Sequence, residues 1–84
     1  MNKHEANVLL AVILTTVAET PDGAPEGVMY AALMNRVELA DFQSLLSIAQ
    51  QVGLITRARH VVTITARGLA LAAKLEAFAK ESHA

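Results

Sequence analysis

The apolar positions of this chain fall into four helical blocks separated by short polar breaks, with a change of period between the third and the fourth. From His4 to Glu19, the residues Val8, Leu9, Val12, Ile13 and Val17 recur at the i, i+3, i+4 spacing of one broad helix face. Leu10 and Leu14 carry the apolar surface round the side. The spacing predicts a helix over 4–19, and one so apolar all round is predicted to be buried on more than one face. Thr20-Pro21-Asp22-Gly23-Ala24 then breaks the pattern with turn formers. A second helix is predicted over 25–35, with Pro25 at its first position and Glu26 at the positive end of its dipole. Val28 and Ala32, flanked by Met29 and Leu33, are expected to face the core, and Met29 and Met34 to act as core fillers. Asn35-Arg36-Val37-Glu38 makes the next turn.

A third helix is predicted over 39–52, with Phe42, Leu45, Leu46, Ala49 and Val52 as its inward stripe. Gly53 follows the last apolar position and can take the left-handed conformation that ends helices. The period then drops to two. Ile55 and the run Val61-Val62-Thr63-Ile64 are rich in β-branched residues, and the alternation puts Val62 and Ile64 on one face. A hairpin over 54–65 follows, with the tight basic corner Arg57-Ala58-Arg59-His60 too short for a long, floppy loop. Thr65 can cap a last helix over 66–80, along which Leu71, Leu75 and Phe78 share a face flanked by Leu69 and Ala72. The tail Glu81-Ser82-His83-Ala84 is expected to fray. The fold class expected is mostly α with a small β-hairpin, in the order helix, helix, helix, strand, strand, helix, as one domain over 1–84.

Composition adds a suspicion of self-association. With 54% of its residues hydrophobic and few aromatics, the chain has more Leu, Val, Ile and Ala than a core of 84 residues readily hides. Leu10, Leu14, Leu69 and Ala73 are the surplus apolar positions, and they predict a homodimer built from the first and last helices. The absence of cysteine excludes a disulfide framework and thiolate chemistry. Lys3 ahead of the run Ala6–Leu14 has the look of a signal peptide, but Glu5 cancels its charge. The run is also far below the ~20 residues of a membrane span. A buried helix in a soluble, cytoplasmic protein is the expectation.

Charge changes the picture further, because it is divided unevenly. Residues 1–51 carry two basic side chains against six acidic ones, a net −4, whereas residues 52–84 carry five against two, a net +3. The hairpin half is the basic half.

From Phe42 to Gly68 the chain reads as a helix, then Gly53-Leu54-Ile55, a hairpin, and Ile64-Thr65-Ala66-Arg67-Gly68 opening the closing helix. This layout resembles the winged helix-turn-helix superfamily of small bacterial and archaeal transcription regulators, from the first helix to about Leu75. In such domains the third helix lies in the major groove and the hairpin, or wing, touches the backbone or the minor groove. The resemblance therefore implies a small DNA-binding regulator acting as a homodimer. Ala40, Gln43, Ser44, Ser47, Gln50 and Gln51 would be the outward positions of the reading helix, with Gln43, Ser44, Ser47 and Gln50 facing base edges. Arg36, Arg57, Arg59, His60 and Arg67 would hold phosphates.

The third helix has no lysine or arginine of its own and carries Asp41, with Glu38 just before it. Phosphate contacts supply most non-specific affinity. A second reading from another class therefore stays open: a winged-helix protein–protein interaction module without nucleic-acid binding. Neither reading needs a cofactor. His4, His60 and His83 are far apart with no i, i+4 ligand pair, so no metal site is expected. The serines lack a Gly-x-Ser-x-Gly setting or a base partner, and Gly23 and Gly27 do not make a phosphate loop, so no enzyme is expected.

Overall fold

Three helices and a final fourth surround a three-stranded antiparallel sheet, in the order α1 (Lys3–Ala18), β1 (Ala24–Pro25), α2 (Glu26–Leu33), α3 (Leu39–Gln51), β2 (Ile55–Ala58), β3 (Val61–Ile64) and α4 (Ala66–Ser82). The structure is a computed structural model that describes residues 2–82, with side chains through residue 77. Glu81 and Ser82, expected to fray, belong to α4, while the inward position expected for Phe78 and the fraying expected of His83-Ala84 fall outside the described residues. The architecture is α+β and mostly helical. Among the described residues, no helix is long and apolar enough to cross a membrane.

The helix predicted over 4–19 begins and ends one residue earlier. Asn2 sets the start, its Oδ1 accepting the Glu5 N–H at 2.8 Å, which satisfies one of the amides left over in the first turn. Leu9, Ile13, Leu14 and Val17 are buried along α1. Leu14 was expected at a dimer interface, yet it is fully enclosed within one chain. The reason is that α1 is covered from several sides, by α4, by β3 and by α3, so the apolar surface on its flank is consumed internally. Leu10 is only half-buried against the same core.

Sequence reasoning missed the strand β1. Its two residues pair with β3, Ala24 opposite Val62 and Pro25 opposite Val61, giving the sheet order β1-β3-β2. Pro25 is tolerated because this is a sheet edge, where a missing N–H breaks no central ladder. Gly23 makes the approach possible. It has φ +108°, and a Cβ there would stand 2.5 Å from Val61 Cγ1.

The strand also corrects the phase of α2. Pro25 is extended (φ −61°, ψ 133°) and precedes the helix rather than opening it. The Glu26 N–H donates to the His60 carbonyl at 2.8 Å, which pins the first helical residue to the hairpin. From that anchor, Met29 and Leu33 point inward with Val37 one turn further on, while Val28 is 67% exposed and Ala32 is exposed. Residues 28 and 29 differ by ~100° round a helix, so fixing Glu26 decides between them. The helix ends at Leu33 rather than Asn35, and Met34 is exposed instead of filling the core.

In α3 the stripe Phe42, Leu45, Leu46 and Ala49 is buried, with the Phe42 ring 5.3 Å from that of Tyr30. Val52, expected inward, is about half exposed because the helix stops at Gln51. The stop is a double hydrogen bond across the end. Gly53 N–H donates to Gln50 O at 3.1 Å and Leu54 N–H to Ala49 O at 2.9 Å, with Gly53 left-handed at φ +82°.

The final helix is fastened to that same loop. Thr65 Oγ1 lies 2.6 Å from Gly53 O and 2.9 Å from Leu54 O, to which its single proton can donate. The same oxygen accepts the Gly68 N–H at 3.0 Å and so caps α4. The Thr65 N–H adds a bond to Leu54 O at 3.1 Å. Gly68 then lies so close that a Cβ on it would overlap the Leu54 carbonyl oxygen and stand 2.7 Å from Ile64 Cγ1.

Gly68→Ala is therefore expected to lower the unfolding free energy by about 2–4 kcal/mol, since backbone must move to admit the methyl. Thr65→Val is expected to cost about 1–2 kcal/mol, with Thr65→Ser restoring most of it. Gly27→Ala, with nothing within 4 Å of the added carbon, is expected to be neutral or mildly stabilising. Urea unfolding of the four variants checks all three statements.

Candidate nucleic-acid interface

The chemically distinctive part of the molecule is where the start of α2, the outer face of α3 and the tip of the hairpin converge. Ala58 and Val61 form the last pair of the hairpin, and Arg59-His60 makes the two-residue turn between them. Both turn residues have positive φ, 53° and 64°. Turns of this shape favour Asn and Gly, so Arg and His here hold a conformation that costs them energy. The main-chain bond from Glu26 to His60 O helps to hold it.

Glu26 is the hub. Its Oε1 accepts from Arg57 Nε at 2.6 Å, and its Oε2 lies 3.4 Å from His60 Nδ1. Arg57 also reaches α3, where its Nη1 is 3.4 Å from Ser47 Oγ. The alternation along β2 explains this direction: Arg57 shares the inner face with buried Ile55, so it leans over α3 instead of projecting from the tip. The side chains of Glu26 and Arg57 are only 15% and 25% exposed, whereas that of His60 is 92% exposed. Beside the ion pair is a hollow walled by Tyr30, Leu39, Phe42 and Gln43, with Glu26 and His60 at its rim.

Burial works against the charge of Glu26, but the hydrogen bond from Arg57, the contact with His60 and the charge of Arg57 outweigh it. The carboxyl is held below its ordinary value.

The residues expected to hold phosphates do not gather at one place. Arg59 and His60 are exposed at the hairpin tip. Arg57 is tied down beneath them and its charge is offset by Glu26, so it is not the free clamp expected of it. Arg36 is on another side, against α1 beside Val8, Leu9, Val12 and Thr16. Arg67 sits with Val52, Leu54 and Lys74 near the start of α4. Gln43, Ser44, Ser47 and Gln50 are all exposed along α3, although the Ser44 hydroxyl donates back to Ala40 O at 3.0 Å. Sequence reasoning read Glu26 only as a favourable charge at a helix start. The nearest signal was an acidic residue between a turn and a helix, and nothing in the sequence links position 26 to positions 57 and 60.

Of the expected dimer residues other than Leu14, Leu69 is 48% exposed and Ala73 is exposed, together flanking a groove with Ala18, Glu19 and Glu76. Compared with family models, with curated proteins and with solved structures, the chain has no match in any of the three.

A carboxyl whose folded-state value lies below its unfolded one adds stability above the unfolded value and loses it as the pH falls through the folded one. Wild type is therefore expected to lose stability below pH ~4.5 more steeply than Glu26→Gln. At neutral pH the variant should be about 1 kcal/mol less stable, the scale of a partly buried pair. Denaturant unfolding of both chains between pH 3 and 7 reads the difference.

Proposed function

We propose that this chain is a winged-helix module that binds duplex DNA and acts as a homodimeric transcription regulator. The observation that carries the reading is the 3.4 Å approach of Arg57 to Ser47. It joins an exposed polar stripe of α3, which has no cation of its own, to the basic hairpin. Gln43, Ser47 and Gln50 would face base edges, while Arg59 and His60 at the exposed tip would meet the backbone. The antiparallel hairpin directly after α3 and the capped helix after it also fit the winged-helix layout. Arg36 and Arg67 would contribute only where the duplex extends past the tip. The homodimer would use α4, where Leu69 and Ala73 stay exposed, with Leu10 of α1 beside the core.

A protein-interaction module is the second reading, favoured by a separate observation. Leu39, Ile48 and Val52 on and just beyond α3 are each about half exposed, and apolar side chains there suit a protein partner better than a groove of phosphates.

Fluorescence anisotropy with a mixed-sequence duplex at two salt concentrations tests the first reading. Affinity is expected to fall steeply with salt, and Arg59→Ala to reduce the slope by about one unit per bound subunit. No binding at low salt would remove the regulator and leave the interaction module. For the assembly, light scattering is expected to give a dimer mass for wild type and a monomer for Leu69→Glu. A wild-type monomer at high micromolar concentration would remove the dimer.

A further inference from the structure

We infer that Arg57 reads a guanine edge in the major groove, held over α3 by Glu26, so that the base-reading cation of this chain comes from strand β2 and not from the helix it serves. The inference rests on the DNA-binding reading above and assigns one site within it.

The hydrogen-bond accounting of the guanidinium carries the inference. Arginine offers one donor at Nε and two at each terminal nitrogen. Glu26 takes Nε with one oxygen at 2.6 Å, and its other oxygen lies toward His60 at 3.4 Å. A carboxylate that masked the arginine would take the fork with both oxygens. Here it grips the near end and leaves the far end forward. Nη1 lies 3.4 Å from Ser47 Oγ, and Nη2 has no hydrogen-bond partner among the described residues. Nη1 is thus turned to the exposed stripe of α3, and with the donors of Nη2 that no described residue takes it can match the O6 and N7 acceptors that guanine presents side by side.

Charge balance argues for a base over a phosphate. Glu26 offsets the charge of Arg57, so the pair attracts a polyanion weakly, whereas Arg59, in the turn just past Ala58, is exposed and has no ion-pair partner among the described residues. A neutralised but rigidly aimed fork is suited to acceptors on an uncharged base edge. Holding the side chain in place beforehand also removes the rotamer entropy that a free arginine would lose on docking. The division of labour follows: Arg59 supplies attraction and Arg57 supplies selection.

The test starts with the duplexes that wild type retains from a randomised library. The best site is compared with the same site carrying adenine for the guanine, for wild type, Arg57→Lys, Glu26→Gln and Arg59→Gln, each at two salt concentrations. Wild type should discriminate by roughly 10- to 100-fold. Arg57→Lys should lose most of that discrimination with little change in salt slope, and Glu26→Gln should lose it while steepening the slope, since it leaves the Arg57 charge unbalanced. Arg59→Gln should keep the discrimination and lower the slope by about one unit per bound subunit. In the free protein, the Arg57 Nε–H resonance should be slowly exchanging in wild type and lost in Glu26→Gln. Tighter binding of every duplex by Glu26→Gln with the guanine preference kept would make Glu26 a mask and overturn the proposal. Unchanged site preference in Arg57→Lys, or an Nε–H signal indifferent to Glu26, would overturn it too, and each of these leaves DNA binding itself intact. Failure of wild type to bind any duplex at low salt would instead overturn the DNA reading, and this assignment with it.

Discussion

The threonine at the end of β3 holds together the two halves of this fold. Thr65 bonds the Gly53-Leu54 loop through its side chain and its N–H, and with the same oxygen it caps α4. Three elements meet there: the end of α3, the end of the hairpin and the start of the last helix. The approach is so close that position 68 has no room for a β-carbon. Because β2 starts right after Leu54, the clasp also fixes where the hairpin leaves α3. The lean of Arg57 over Ser47 is a consequence of that departure angle combined with the strict alternation of strand side chains.

A second constraint operates at the other end of the hairpin. The short strand β1 brings Glu26 beneath the turn, where its amide bonds His60 O and its carboxylate bonds Arg57. The same residue therefore sets the phase of α2 and the posture of the arginine. The turn residues Arg59 and His60, both at positive φ, sit above this contact. Strain at the tip and a partly buried ion pair below it are paired features, since a hairpin free to relax would not keep the arginine aimed at α3. The local price in backbone energy is small against the whole core, which runs from Leu9 to Ala72.

Much of this was legible in the sequence, and the legible parts share a cause. The stripe Phe42, Leu45, Leu46 and Ala49, the turn at Gly53 and the Thr65 cap all depend on residues within a few positions of one another, whereas Arg57 and Ala58, expected in the corner, are drawn into β2 by pairing with β3. What was not legible depends on distant ones. Leu14 is surplus on α1 taken alone, and the packing of α4, β3 and α3 round that helix encloses it. Val28 and Met29 are equally apolar to the eye, and the choice between them was made by the anchoring of Glu26 at the hairpin. The candidate site follows the same rule: the exposed polar stripe of α3 could be read off, whereas the Glu26–Arg57–Ser47 chain could not.

By itself the sequence determined the four helices, the hairpin and the turn at Gly53, because periodicity, caps and a left-handed glycine act over a single turn. Only the tertiary structure decided which face of α2 is buried, that a two-residue strand joins the sheet, and that the basic corner is partly neutralised by an acidic residue 31 positions before Arg57. The physical reason is range. A helix end is satisfied by its own neighbours, but the partner of a charge at a hairpin is chosen by strand pairing, and no local pattern encodes that.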